Sequence, residues 1–173
     1  MKLASNICYT SHDQKRSDYR AKMVPRMFVA ARRAAASAPK QLTNWLKRYG
    51  LSLGKRDATV RDLRLLHHAA RGGRYVMVYP LNCDTIQPVE QTLARGGDCD
   101  HWAIVVMAVL SSWGVEFALA CAGDELDPFQ HAYVRAQVGG VWYTLDPKPD
   151  QRGEPFDTTA PAQRTTLFKL EAR

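Results

Sequence analysis

The chain has 173 residues, 46% of them hydrophobic and 24% charged, a profile that suits one ordinary core and excludes a disordered or low-complexity protein. Its longest apolar run, Ala103 to Leu110, has eight residues, far below the roughly 18 that a membrane span needs. The net charge of +7 hides a division: residues 1–74 hold 17 Lys and Arg against 4 Asp and Glu, a net +13, whereas residues 75–173 hold 7 against 13, a net −6.

This asymmetry predicts a basic, largely helical N-terminal extension over residues 1–56, followed by a domain over 57–173 that ends in a coil tail. The extension is expected to be separable. Its expected partner is an acidic protein or nucleic acid, and the plainer alternative is a set of solvated helices docked on the acidic body. The N-terminus MKLASNICYTSHDQKR has no apolar middle region of a secretory signal. Cysteines at 8, 83, 99 and 121 follow no CxxC or paired spacing, which argues against a zinc cluster or a disulfide framework. Reduced thiols in a cytoplasm are therefore expected, with no cofactor and no metal.

In chain order, residues 1–25 read as loop or irregular helix. The alanine-rich stretch RMFVAARRAAASAP predicts a helix stopped at Pro39. Leu42, Trp45, Leu46 and Tyr49 recur at i, i+3, i+4 and i+7, so QLTNWLKRYG predicts a short amphipathic helix closed by Gly50. A third helix is expected from an N-cap at Thr59, with Asp62 reaching back, to Gly72. His67 and His68 on it read as surface or packing histidines. RYVMVYP predicts a short strand, and residues 81–97 read as irregular. VEFALAC predicts a buried strand, HAYVRAQV and VWYTLD a hairpin about Gly139-Gly140, and everything past Asp146 coil.

The chemistry centres on RGGDCDHWAIVVMAVLSSWG, residues 95–114. Gly96 and Gly97 permit a sharp turn, Asp98 suits an N-cap, and a buried helix is expected to run to Gly114. Cys99 then lies in the first helical turn, where unsatisfied amides and the positive end of the helix dipole favour a thiolate and a developing oxyanion. Two flanking carboxylates act against this, so a base is required. His101, two positions along the helix, points away from Cys99.

His131 is the better candidate. A two-residue turn at Gly139-Gly140 pairs Val138 with Val141, and all paired numbers sum to 279. Tyr133 then faces Asp146, and Asp146 is the diagonal neighbour of His131, roughly 7–8 Å away by Cα. A carboxylate there orients an imidazole and stabilises its charged form. A three-residue turn would break this register.

The blocks GGDCDHWA, HAYV and VWYTLDP, in this order and spacing over about residues 79–148, resemble the transglutaminase-like superfamily of papain-fold cysteine enzymes. The resemblance implies an α+β fold: a papain-like core whose nucleophile helix packs on a small antiparallel sheet. It implies Cys99 as nucleophile, His131 as general base and then acid, and Asp146 as orienting carboxylate. It also implies acyl chemistry on peptide or side-chain amides, by a protease, a deamidase or a transglutaminase. His101 stands where many relatives carry a second acid, and Lys148 where a small hydroxyl residue is frequent. Small proteins with this domain look similar to ones encoded by bacteria and their tailed phages. The alternative is a non-catalytic binding or structural protein, such as a virion or host-interaction component, that keeps the fold and docks through the basic arm. The matching location is a cytoplasm, that of a host if phage-encoded, or a virion.

Plainer readings stand beside these. Cys8, Cys83 and Cys121 read as inert, and Asp124, Glu125 and Asp127 as a solvated loop in preference to a calcium site. Trp102, Trp113 and Trp142 read as core or pocket-wall residues, with Trp142 on the strand face that carries Asp146, where it would shield the site. Asn82 and Gln87 are candidate side-chain donors to an oxyanion.

Overall fold

The computed structural model describes residues 6–8, 19–76, 83–123, 131–147 and 165–169. After a short strand β1 (Asn6–Cys8), a π-helical turn at Tyr19–Met23 leads into α1 (Val24–Ser37), followed by α2 (Lys40–Lys47) and α3 (Val60–Arg71). Strand β2 (Cys83–Thr85) pairs antiparallel with β1. Then come α4 (Val89–Arg95), α5 (Cys99–Trp113), β3 (Glu116–Ala122), β4 (His131–Val138), β5 (Val141–Leu145) and β6 (Thr165–Lys169). The last four form one antiparallel sheet in the order β5-β4-β3-β6. The architecture is α+β.

Helix α5 is the axis of the molecule. Every residue from Cys99 to Leu110 is buried, and its low-polarity surface packs on α1 at one side and on β3 and β4 at the other. A helix apolar all round must be covered all round. Its ends are set locally: Asp98 Oδ1 accepts the amides of Asp100 and His101 at 3.1 and 3.3 Å, and the Gly114 backbone closes it at φ 76°. In the same way Thr59 and Asp62 form a reciprocal capping box at the start of α3.

The described helices of the basic extension, within residues 19–56, pack into the same core as the rest of the chain. Met27, Phe28, Ala31, Leu42, Trp45, Leu46 and Leu51 share one core cluster with Leu63, Leu66 and the whole apolar length of α5. The expected boundary at 56 is stitched across. Trp113 Nε1 donates to the Ser52 carbonyl at 2.6 Å, the Arg56 amide donates to the Trp113 carbonyl at 3.3 Å, and the Arg56 guanidinium lies 5.3 Å from the Trp113 ring centroid. The physical reason is that charge marks only the solvent face: Arg32, Arg33, Lys47 and Arg48 are exposed while the alternate faces of the same helices are buried.

Two further expectations are corrected. Residues 81–97 contain β2 and α4, and the tail beyond Asp146 contains β6, which completes the sheet against β3. Of the strand expected at RYVMVYP, the described part gives a single parallel bridge between Tyr75 and Gly97. Among the described residues no helix is long and apolar enough to cross a membrane.

Candidate active site

The β4–β5 ladder runs from Val138↔Val141 to Val134↔Leu145, the register in which paired numbers sum to 279. The turn requires Gly139 and Gly140, both at positive φ (59° and 78°), as a tight hairpin of this hand demands. His131 and Asp146 therefore fall diagonally across the end of the hairpin, and their side chains meet: Nε2 of His131 lies 2.9 Å from both Oδ1 and Oδ2 of Asp146. With the carboxylate accepting, Nε2 carries the proton and Nδ1 is left as the basic nitrogen. The pair is partly open to solvent, with side-chain exposures of 18% and 23%. Tyr133, buried, stacks on the His131 ring at 5.8 Å and 27°.

Cys99 opens α5 behind the N-cap Asp98 and is 9% exposed. Its thiol lies against the backbone of β4: the Ala132 amide, one position beyond His131, hydrogen-bonds the sulfur, and so does the Tyr75 hydroxyl. The same hydroxyl engages the backbone of Cys99. Burial, then Asp100, then Asp98 push the Cys99 thiol well above the usual cysteine range, opposed by the Ala132 and Tyr75 hydrogen bonds. The helix dipole, worth roughly 0.3–1 kcal/mol, does not offset burial and two carboxylates. At neutral pH the resting group is a thiol, and it needs a base at the moment of reaction.

The turn before Cys99 is fixed from outside the helix. The Gly97 amide donates to the Arg74 carbonyl at 3.2 Å and the Val76 amide to the Gly97 carbonyl at 3.0 Å, which seats Tyr75 over the start of α5. No side chain fits at Gly97, where a Cβ would lie 2.6 Å from His101 Cβ. Gln87, a candidate oxyanion donor from sequence, spends its amide on Thr92 Oγ1 (3.1 Å) and the Gly96 carbonyl (2.9 Å). It is a strut of the turn. Asn82, the loop at 124–127 and Lys148 lie outside the described residues.

His101 is fully buried and its Nδ1 lies 2.6 Å from Asp98 Oδ1, which secures the N-cap. Asp100 accepts a 2.6 Å hydrogen bond from the Tyr19 hydroxyl. Trp142 does not cover the site: it lies at the far end of β5, its ring 4.9 Å from the Lys169 ammonium. Sequence reasoning missed Tyr75, Tyr19, the stacking of Tyr133 on His131 and the partner of His67, whose Nε2 lies 3.1 Å from the Asp146 carbonyl. A polar residue on a core-facing stripe, as His67 is, was the one local signal available. Among the described residues no group of three or more His, Cys, Asp or Glu side chains converges as metal ligands would. In comparisons with protein-family models, curated proteins and solved structures, the chain matches none.

Proposed function

We propose that the chain is a cysteine-dependent acyl-transfer enzyme acting on peptide or side-chain amides, built on a papain-like core of the transglutaminase-like kind. The observation that carries this reading is the His131–Asp146 pair, 2.9 Å at both carboxylate oxygens, on the strand whose next amide, that of Ala132, hydrogen-bonds the Cys99 sulfur. In this reading Cys99 is the nucleophile at a helix N-terminus, His131 the base and Asp146 the carboxylate that orients it.

In this mechanism Nδ1 of His131 takes the thiol proton as Cys99 Sγ bonds to the amide carbonyl carbon. The α5 N-terminal amides receive the negative charge on the carbonyl oxygen. The imidazolium returns its proton to the leaving nitrogen as the C–N bond breaks, leaving a thioester. Water or an amine, deprotonated by the same imidazole, then attacks the thioester and releases the thiol.

A second reading has its own support: burial and two carboxylates raise the Cys99 thiol, which suits a binding protein that retains the fold. Incubation with a peptide library, with and without a primary amine, separates the two by mass. Cleavage, side-chain deamidation or an amine adduct that disappears in Cys99→Ala supports the enzyme. Identical spectra for the two proteins contradict it.

A further inference from the structure

We propose that His67 is a positioning residue for the candidate triad, holding the backbone of Asp146 so that its carboxylate meets His131. The inference rests on the acyl-transfer reading above.

Helix α3 turns a stripe of Leu63, Leu66, Ala69 and Ala70 to the core, and His67 lies in that stripe at 7% exposure. An apolar residue would suit packing alone, and a buried imidazole costs free energy unless it is hydrogen-bonded. Its Nε2 meets the carbonyl oxygen of Asp146, 79 positions away, at 3.1 Å. A carbonyl only accepts, so Nε2 carries the proton and donates.

The location of that carbonyl gives the bond its role. The β4–β5 ladder ends at Val134↔Leu145, so Asp146 is the first residue that no strand pairing fixes. A carboxylate that must orient a base needs placement within roughly 0.5 Å. The helix supplies what the sheet no longer does: Asp146 is held by His67 at its backbone and by His131 at its side chain. Losing the backbone hold lets the carboxylate, and with it the imidazole, drift from the sulfur.

The test uses the full chain and the rate of Cys99 alkylation by iodoacetamide as a function of pH, with thermal unfolding measured alongside. His131→Ala defines the imidazole-assisted part of the rate. His67→Met, which fills the space without a donor, is expected to lower that part about tenfold, since small misplacements of catalytic groups cost up to about 10²-fold. His67→Gln, which restores an N–H donor, is expected to recover most of it even where the two variants unfold at the same temperature. Equal assisted rates in wild type, His67→Met and His67→Gln, with His131→Ala still slow, would overturn the positioning role and leave the triad intact. A His131→Ala rate equal to wild type would overturn both, and is distinguishable from the first outcome. Independently of any variant, nitrogen NMR of the wild-type imidazole is expected to show His67 as the Nε2–H tautomer; an Nδ1–H tautomer removes the donor and the inference with it.

Discussion

The two flanks of helix α5 do different work. One flank packs on α1, and through the shared core on α2, with apolar side chains from residues 19–51, and Tyr19 ties it to the nucleophile turn through Asp100. The other flank meets β3 and β4 and carries the His131–Asp146 pair and the Ala132 amide on Cys99. The basic part of the chain thus supplies burial, and the acidic part supplies the candidate chemistry. A boundary in charge is therefore not a boundary in folding. The helical layer looks dispensable by its charge, yet its apolar face is buried in the shared core.

Substitutions on the two flanks should separate. The largest effect is expected at the sheet flank: Asp146→Asn preserves the fold yet lowers turnover by about 10³–10⁴-fold, because an amide stabilises the wrong tautomer and offers no charge to the imidazolium. Turnover assays paired with thermal melts check this, and a melt shifted as far as the activity would merge the two flanks. At the helical flank Leu46→Ala, in a fully buried site, is expected to cost about 2–5 kcal/mol in denaturant unfolding while the remaining folded protein keeps its turnover. For the same reason a chain without residues 1–56 is expected to show no cooperative unfolding; a folded, cooperative truncation would restore the separable arm.

The smallest effect is one of pH. Burial, then Arg71 and His68, hold His67 below the ordinary histidine range, against the opposing influence of Asp146. The unfolded chain then binds the proton more readily than the folded one. The contribution is fully present above the unfolded value of about 6.5 and is lost as pH falls from there through the lower folded value. Denaturant midpoints measured between pH 7.5 and 5 should fall, and the fall should be shallower in His67→Gln.

Much of this was legible locally. Asp98 as a cap, Gly114 as a stop and the Gly139-Gly140 turn fix α5 and the hairpin register from neighbours in sequence, and so bring His131 to Asp146. What was not legible is non-local. TTLFK becomes β6 only because the β3 edge is there to receive it, and VEQTLAR becomes α4 although seven residues carry little helical signal. Tyr75 and Tyr19 reach the site across long sequence separations, and nothing in their own surroundings announces it; His67 is marked locally only as a polar residue on a core-facing stripe. The charge pattern reports the exposed face of α1 and α2 and is silent about the buried one.

The central claim is that Cys99 is activated by His131 at the moment of reaction and not by its resting environment, which raises the thiol. The most direct measurement is alkylation profiling of all four thiols in the folded protein from pH 6 to 10, comparing wild type with His131→Ala. The account predicts that Cys99 reacts fastest at pH 7 in wild type and that in His131→Ala it reacts only at alkaline pH, above the ordinary cysteine value of about 8.5. A Cys99 that is slower than the other thiols at pH 7, with a profile unchanged by His131→Ala, would contradict it.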